Sequence, residues 1–234
     1  ALHIHALDCH EIGRDTEKAK TIIDAMSNMR EWIQRLPIKA GETALRAAPS
    51  LEKTALNYYH RGAYDEWWAQ EAANQQQYLD RLPDIPIVLS CGWYDNFVGA
   101  TTEYFTQIST KNVSETKMIL GPWTHGGMRT HSSSQGDCDS GPDSVWSNSV
   151  YNPARLTFFD RHLKNITGGS NKEPPIKIFV MGTGKGDKNV NGKLNHGGYW
   201  RDEREWPLAR TSYTTFYFHK TGSLAQNHPA GKFE

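Results

Sequence analysis

The chain has 234 residues, with 26 Lys and Arg against 26 Asp and Glu, so its formal net charge at pH 7 is zero. A balanced charge indicates neither nucleic acid nor an acidic membrane surface as a partner. The sequence has no apolar run of the roughly 18 residues that a membrane-spanning helix needs. Its three cysteines, Cys9, Cys91 and Cys138, are too few and too irregularly spaced for a disulfide framework or a zinc site. They favour a reducing compartment, the cytoplasm, without establishing it.

The first part of the chain, residues 1–82, is predicted to be helical. Apolar residues recur at helical spacing from Ile22 to Leu36 and predict a first helix that ends before Pro37. A second helical run is predicted over Tyr64–Leu82. Its large apolar members are Trp67, Trp68 and Tyr78. Near the start, His3, His5, Cys9 and His10 lack a second pair of ligands and do not predict zinc.

Two short apolar runs follow, Ile85–Cys91 and Lys117–Leu120, and each ends at a glycine. Short β-rich runs bounded by turn residues are typical of strands that are buried on both faces of a parallel sheet. Between them, apolar residues from Phe97 to Ile108 recur at helical spacing. The stretch therefore predicts a strand, a helix and a parallel strand, which together form a βαβ unit.

An acid and a histidine follow the two predicted strands: Asp95 comes after the first and His125 after the second. In open α/β sheets, functional residues collect at the carboxyl ends of the strands, so we expect these side chains to lie close together. A carboxylate that accepts the Nδ1 proton of a histidine fixes its tautomer and leaves Nε2 free to take a proton from a nucleophile. The alternative is that both are ordinary polar residues of surface loops.

The region after His125 divides into a loop and a helix. Residues 130–148 are rich in Ser, Gly and Asp and predict a long solvated loop. Asn152 and Pro153 predict the start of a helix that runs through Leu163. Its core-facing stripe is predicted to be Leu156, Phe159 and Leu163. The polar residues Asp160, Arg161 and His162 of this helix are expected to be solvated or structural.

The end of the chain changes in character after Gly168 and Gly169. Pro174 and Pro175 precede the run IKIFVM, glycine- and asparagine-rich turns follow, and SYTTFYFH alternates as a strand does. These features predict a β domain. A carbohydrate-binding module is an alternative for this part, with Trp200 and Trp206 as stacking residues, but no acidic or amide cluster beside them supports it.

The motifs of this chain resemble those of the CocE/NonD hydrolases, a family related to the α-amino-acid ester hydrolases and the X-prolyl dipeptidyl peptidases. The resemblance extends from about residue 60 onward, and the motifs occur in the order of the family. They are YDEWW (Tyr64–Trp68), GWYDNF (Gly92–Phe97), ILGPWTHGG (Ile119–Gly127), FFDRHLK (Phe158–Lys164), IKIFVMG (Ile176–Gly182), YWRDEREWPLA (Tyr199–Ala209) and TTFYFHKTGSL (Thr214–Leu224).

The resemblance implies an α/β fold in three parts. Residues 1–82 would be a helical cap segment, 83–170 the C-terminal part of an α/β-hydrolase domain, and 171–234 the start of a C-terminal β jelly-roll domain. The jelly roll would be partial, because such a domain needs about eight strands. The resemblance also implies that the catalytic serine lies in a Gly-x-Ser-Tyr-x-Gly turn upstream of the cap. No Gly-x-Ser-x-Gly occurs in these residues, and the nearest imitation is Gly168-Gly169-Ser170.

The predicted function is that of a fragment of a serine hydrolase, which cleaves carboxylic esters or amides through an acyl-enzyme. Asp95 and His125 would be the acid and the base of its triad. Phe97 matches a position that lines the acyl pocket of a family member, and Trp93, Tyr94 and Trp123 would either wall the site or pack beneath it.

The expected partner is a small ester or amide substrate, and neither a cofactor nor a metal is needed. The oligomeric state stays open, a homo-oligomer included. The alternative function is a non-catalytic binding or structural chain that keeps the hydrolase scaffold without its nucleophile. On the triad hypothesis, the chain alone is expected to be inactive.

Overall fold

The structure, a computed structural model, describes residues 10–70, 74–127, 131–166 and 173–229. The chain divides into two compact units, Ala1–Tyr78 and Leu79–Glu234. The predicted boundary of the cap segment at residue 82 lies close to this division and stays a prediction. No helix within the described ranges is long and apolar enough to cross a membrane. His3, His5, Cys9 and Ser170 lie outside the described residues.

Within its described residues, the first unit contains the helices α1 (Thr16–Ser27), α2 (Met29–Ile33) and α3 (Pro49–His60). The carboxylate of Asp15 accepts hydrogen bonds from the amides of Glu17 and Lys18 and so caps the start of α1. Proline occupies the first position of α3, where its missing N–H costs nothing. The core of this unit is formed by Ile12, Ile22, Leu45, Ala48 and Ala55.

The second helical run predicted for this part, Tyr64–Leu82, is wrong over most of its length. A 3-10 helix, Gln75–Arg81, covers its end, and the residues around Trp67 form a turn instead. The carboxylate of Asp65 accepts hydrogen bonds from the amides of Trp67 and Trp68, which closes the turn. Both indoles pack edge-on against Tyr58 of α3, with ring centroids 5.0 and 5.4 Å from it. The aromatic residues therefore form a tertiary cluster and not the stripe of a helix.

The main sheet of the second unit contains four described strands, in the order β1 (Ile87–Gly92), β2 (Thr116–Gly121), β5 (Ile176–Met181) and β7 (Gly198–Glu203). Strands β1, β2 and β5 are parallel, and β7 is antiparallel to β5. Helix α4 (Val98–Lys111) connects β1 to β2. The predicted βαβ unit is confirmed, and its register places Gly92 opposite Gly121 at the carboxyl ends.

The sheet is covered on both faces. On one face, Phe105 of α4 packs on Met118 and Leu120, together with residues of β5. On the other face, Ile119 packs with Trp123 and Val150. Successive residues of β2 thus point into different clusters, as the alternation of a strand requires. Burial on both faces explains why β2 is a continuous apolar run.

The helix after the loop, α5, spans Asn152–Lys164 and follows a π-helical turn, Trp146–Tyr151. Its predicted core stripe is wrong: the exposed fractions of Leu156 and Leu163 are 61% and 74%, and Phe159 is also exposed. Phe158 is the buried residue of α5. Arg161 and His162 bind Glu115, at distances of 2.7 Å each, so the face that carries them meets the sheet. These tertiary contacts set the rotation of the helix.

Strands β5 and β7 lie in residues 171–234, which the resemblance assigns to the start of a jelly-roll domain. In the structure, β5 pairs instead with β2 of the main sheet. The reason is burial: Ile176 and Ile178 complete the cluster beneath α4. After β7, the described residues form one hairpin, β8 (Tyr217–Phe218) with β9 (Leu224–Ala225). The jelly roll stays a prediction.

A small second sheet lies in the region predicted to be a solvated loop. It consists of β3 (Ser134–Gln135), β4 (Cys138–Asp139) and β6 (Leu194–Asn195), in that order. Strands β3 and β4 form a hairpin, and β4 pairs with β6 in parallel. The loop after the predicted histidine is therefore anchored to the segment between β5 and β7.

Candidate active site

Asp95 is held in a tight turn between β1 and α4. Its amide donates a hydrogen bond to the carbonyl of Gly92 (3.0 Å), and its carbonyl accepts one from Val98 (3.2 Å). One carboxylate oxygen, Oδ1, accepts a hydrogen bond from the amide of Phe97 at 3.0 Å. This local bond fixes the side chain and leaves Oδ2 available for a second partner.

The turn that carries His125 crosses close to the acid turn. The amide of Trp93 donates a hydrogen bond to the carbonyl of Gly121 (2.8 Å), and the amide of Tyr94 donates one to the carbonyl of Trp123 (3.0 Å). Gly92 is required at this crossing, because a Cβ atom there would lie 2.0 Å from the Trp123 carbonyl oxygen. The two turns are thus joined through their backbones.

The predicted acid and histidine meet at these turns. The distance from Asp95 Oδ2 to His125 Nδ1 is 3.0 Å, which is a hydrogen bond. The Asp95 side chain is 1% exposed and that of His125 is 62% exposed. A carboxylate accepts hydrogen bonds, so the contact suits an imidazole that donates from Nδ1; in the neutral ring with this tautomer, Nε2 presents a lone pair. Within the described part of the chain, Asp95 is the hydrogen-bond partner of the ring.

Cys91, predicted to be a small core residue, lies next to the acid at the end of β1. Burial raises the pKa of its thiol, and the charge of Asp95 acts in the same direction, while a hydrogen bond with Thr101 opposes them. The group is therefore a neutral thiol at ordinary pH. It is a filler of the core beneath Asp95 and not an activated nucleophile.

Phe97 and Tyr94, two of the aromatic residues predicted to bind substrate, are exposed beside the pair. The Phe97 ring is 58% exposed, and its centroid lies 5.4 Å from that of the His125 imidazole, in an edge-on arrangement. Tyr94 is half exposed, and its hydroxyl lies 3.0 Å from the sulfur of Met181 in β5. Phe97 thus lies beside the ring that carries Nε2.

Trp93 and Trp123 have different surroundings. The Trp93 indole packs on the core beneath α4, and its Nε1 donates a hydrogen bond to the carbonyl of Phe179 at 2.8 Å. Trp123 is 1% exposed, and its Nε1 donates a hydrogen bond to the carbonyl of Ser144 at 2.6 Å. Their burial favours the interpretation that they pack beneath the site.

A family model for the X-Pro dipeptidyl-peptidase (S15) family matches residues 8–127, which is 120 of the 234 residues. The chain belongs to this family. The match ends at the turn that carries His125, so it includes both members of the Asp95–His125 pair. Membership in the S15 family confirms the resemblance to the CocE/NonD hydrolases that the motifs indicate.

Three relatives of this S15-family chain are hydrolases by name. Cocaine esterase from Rhodococcus sp. (strain MB1 Bresler) is 31% identical over 146 residues, which are 62% of this chain and 22% of the esterase. An aminopeptidase from a marine sediment archaeon, Thaumarchaeota archaeon, aligns with a TM-score of 0.56 and 19% identity, over 88% of this chain and 30% of that protein. An α-amino acid ester hydrolase aligns with a TM-score of 0.52 and 22% identity, over 80% and 30%. The chain spans less than a third of each relative.

The serines near the site are engaged elsewhere. Ser90 Oγ accepts a hydrogen bond from the Trp146 indole (3.2 Å), and Ser144 Oγ donates one to the carbonyl of Gly141 (2.6 Å). Ser132 Oγ accepts one from the amide of Ser134 (3.0 Å). Among the described residues, none of these hydroxyls is bonded to His125. No group of three or more His, Cys, Asp or Glu in that part of the chain could hold a metal ion.

Sequence analysis missed two residues of the site, Thr124 and Gln135. The side-chain oxygen of Gln135 accepts hydrogen bonds from the amide of Thr124 (3.2 Å) and from its hydroxyl (2.9 Å). The Thr124 hydroxyl in turn accepts one from the amide of Gly127 at 3.0 Å. Threonine before the histidine could have drawn attention, but no local pattern connects it to a glutamine in a polar loop.

Proposed function

We propose that this chain supplies the acid and the base of a Ser-His-Asp triad in a hydrolase of carboxylic esters or amides. The observation that carries the proposal is the hydrogen bond between Asp95 and His125, at the carboxyl ends of neighbouring parallel strands. The serine nucleophile would come from a segment outside these 234 residues. The order of acid and histidine along the chain is that of α/β-hydrolases.

In the proposed reaction, the serine oxygen attacks the substrate carbonyl carbon while His125 Nε2 accepts the serine proton. Asp95 stays ionised and stabilises the imidazolium. The imidazolium then gives its proton to the leaving alcohol or amine as the bond to the acyl carbon breaks, which leaves an acyl-serine. Water attacks the acyl group by the same route: His125 takes a proton from the water and returns it to the serine oxygen. These steps need neither a cofactor nor a metal.

The geometry on the substrate side supports roles for the two exposed aromatic residues. Phe97 lies against the edge of the His125 ring, where it would contact the acyl group. Tyr94 lies on the same turn and would extend this apolar wall. Trp93 and Trp123 would act through packing beneath the turns. The preference for a particular acyl group and leaving group would be set by parts of the protein outside the second unit.

The alternative is a non-catalytic chain that binds a partner or serves a structural role on a hydrolase scaffold. The engaged serines of the described residues are the observation that favours it. A buried carboxylate hydrogen-bonded to an exposed histidine would have no purpose in such a chain. The triad proposal therefore accounts for more of the site.

The experiment has two arms. In the first, the 234-residue chain is tested for p-nitrophenyl acetate hydrolysis and for labelling by a fluorophosphonate, beside its His125→Ala variant and free imidazole. We expect no burst of product and no labelling, because the sequence contains no Gly-x-Ser-x-Gly motif of the kind that presents a serine in a strand-to-helix turn. A stoichiometric burst that disappears in His125→Ala would show that the chain has its own nucleophile.

The second arm uses the same chain together with the upstream segment of its gene. We expect one serine to be labelled, a loss of turnover by several orders of magnitude in His125→Ala, and a loss on the order of 10⁴-fold in Asp95→Asn. His228→Ala is the matched control, because this exposed histidine lies in another part of the second unit. Near-normal turnover of the His125 or Asp95 variant would refute the triad, whereas absence of any labelled serine would favour the non-catalytic alternative.

A further inference from the structure

His125 is poorly held by its own side-chain packing. Its ring is mostly exposed, and the described residues contact it through the Asp95 carboxylate and the edge of Phe97. A ring with so few neighbours depends on its backbone for position. The turn of residues 124–127 must therefore be fixed for Nδ1 to stay in reach of Asp95.

The turn is fixed by a chain of hydrogen bonds with a defined direction. The amide of Gly127 donates to the hydroxyl of Thr124, and this hydroxyl donates to Gln135 Oε1. The same oxygen accepts a hydrogen bond from the amide of Thr124. Because a backbone amide can only donate, the atom of Gln135 that faces it must be the oxygen. The three hydrogen bonds hold Thr124 and Gly127, the residues that flank His125 in the turn.

The acceptor of this chain is itself anchored at a distance. Gln135 lies in β3, opposite Cys138 of β4, and β4 pairs with β6. The carbonyl of Asp139 accepts hydrogen bonds from the amides of His196 (2.9 Å) and Gly197 (3.1 Å). The Asp139 carboxylate accepts a further one from Asn189 at 2.6 Å. The small sheet thus ties Gln135 to the segment between β5 and β7.

The approach of Gln135 to the turn is close. A Cβ atom added at Gly127 would lie 1.8 Å from Gln135 Oε1, so the glycine makes room for the glutamine. Any other residue at Gly127 would displace the acceptor from Thr124. Steric space therefore explains why position 127 is a glycine in this fold.

From these contacts we propose that Gln135 is a positioning residue for His125 and acts through Thr124. The inference rests on the proposed function, since it concerns the base of the same triad. Within the described residues, no hydrogen bond joins Gln135 to Asp95 or to the imidazole; Gln135 instead holds the turn that carries the imidazole. The predicted solvated loop after the histidine then has a catalytic purpose.

The chain offers matched variants for a test. Thr124→Val keeps the shape of the side chain and removes the hydroxyl, whereas Thr124→Ser keeps the hydroxyl. Gln135→Met removes the acceptor, whereas Gln135→Glu keeps an acceptor oxygen at the same reach. Both substitutions remove the hydrogen bond between the Thr124 hydroxyl and Gln135 Oε1. If Gln135 acts through Thr124, the double variant Thr124→Val with Gln135→Met should therefore cost less than the sum of the two single variants and little more than Gln135→Met alone.

The readout is the imidazole of His125 in the 234-residue chain, observed by ¹⁵N–¹H NMR with labelled histidine and assigned with His125→Asn. The spectrum reports the tautomer and the exchange of the Nδ1 proton with water, and it does not require activity. We expect a protected Nδ1 proton in the unaltered chain. Thr124→Val and Gln135→Met should each shift the balance between paired and unpaired ring by about tenfold, the typical effect of one hydrogen bond. Thr124→Ser and Gln135→Glu should stay close to the unaltered chain.

Each outcome decides between the two proposals. An unchanged Nδ1 proton in Thr124→Val and Gln135→Met, with the backbone amide spectrum intact, overturns the role of Gln135 and leaves the proposed function standing. Absence of the protected proton in the unaltered chain removes the geometry on which the proposed function rests. Loss of the whole amide spectrum in Thr124→Val would also contradict the inference, because the effect is expected to be confined to the turn and the β3–β4 hairpin.

Discussion

The crossing of the acid turn and the histidine turn at Gly92 allows a sharp test of the candidate site. In Gly92→Ala, the new Cβ would lie 2.0 Å from the carbonyl oxygen of Trp123, whereas Cβ atoms essentially never approach a heavy atom within 3.0 Å. The obstacle is backbone, which has no rotamer to change. The turns must therefore separate by about 1 Å, which breaks the hydrogen bond from Tyr94 to Trp123.

Two magnitudes follow from this separation. Overpacking costs about 1–3 kcal/mol, and the lost hydrogen bond adds about 1 kcal/mol, so the free energy of unfolding should fall by roughly 2–4 kcal/mol. The second magnitude concerns catalysis. In the chain extended by its upstream segment, a displacement of about 1 Å between the proposed reacting groups should lower turnover by about 10²-fold.

The assay combines urea unfolding, followed by circular dichroism, with the NMR signal of the His125 Nδ1 proton. Gly126→Ala is the matched control, because a Cβ there meets nothing within 4 Å although the residue adjoins His125. We expect the control to change the free energy of unfolding by less than about 0.5 kcal/mol. If Gly92→Ala kept both the stability and the protected proton of the unaltered chain, the close crossing of the turns would be refuted.

The remaining predictions concern the packing of α5 on the sheet. Burial opposes ionisation of Glu115, but the hydrogen bond with His162 and the charges of Lys117 and Arg161 outweigh it and hold the pKa of Glu115 below its usual value of 4.5. A carboxyl group whose pKa is lowered in the folded protein stabilises the fold at pH values above its usual pKa. This stabilisation is lost as the pH falls through the lowered pKa. Glu115→Gln should therefore cost about 2 kcal/mol at pH 7, with the difference in urea midpoint vanishing in acid; an equal difference at both pH values would contradict the ionic origin. Phe158→Ala should lower the free energy of unfolding by about 3 kcal/mol. Phe159→Ala, at an exposed position, should lower it by less than about 1 kcal/mol. If thermal unfolding showed the larger loss for Phe159→Ala, the predicted core stripe of Leu156, Phe159 and Leu163 would be correct after all.

The strands and the helix that place Asp95 and His125 could be predicted from the sequence. Strand β2 is a short apolar run because it is buried on both faces, and β1 is one because Leu89 and Val88 are partly buried in different clusters. Each strand ends at a glycine where the turns cross. The intervening helix has the spacing of residues that pack on one face of the sheet. These are local patterns with a single physical cause, so periodicity predicts them correctly. The juxtaposition of Asp95 and His125 follows from the parallel pairing of their strands.

The errors fall where tertiary contacts override a local pattern. Leu156, Phe159 and Leu163 have helical spacing, but Glu115 turns the opposite face of α5 to the sheet through Arg161 and His162. The Trp67 region likewise has the apolar content of a helix, yet Asp65 closes it into a turn. Asp65 lies two residues before Trp67 and is a local turn signal that the apolar pattern outweighed. By contrast, no periodicity encodes the Glu115 carboxylate, which lies 46 residues before Arg161. The role of Gln135 escapes for the same reason, since its partner Thr124 lies across a loop.

The position of β5 links the segment after residue 171 to the chemistry of the acid turn. β5 pairs with β2 through Met118 and Leu120, and its Phe179 carbonyl accepts the hydrogen bond of the Trp93 indole. Its last residue, Met181, contacts the Tyr94 hydroxyl. Since Trp93 and Tyr94 directly precede Asp95, the acid turn rests on β5 as much as on β1. The histidine turn rests on the segment between β5 and β7 through Gln135 and the small sheet. Both members of the pair are therefore supported from the part of the chain that its sequence alone assigns to another domain.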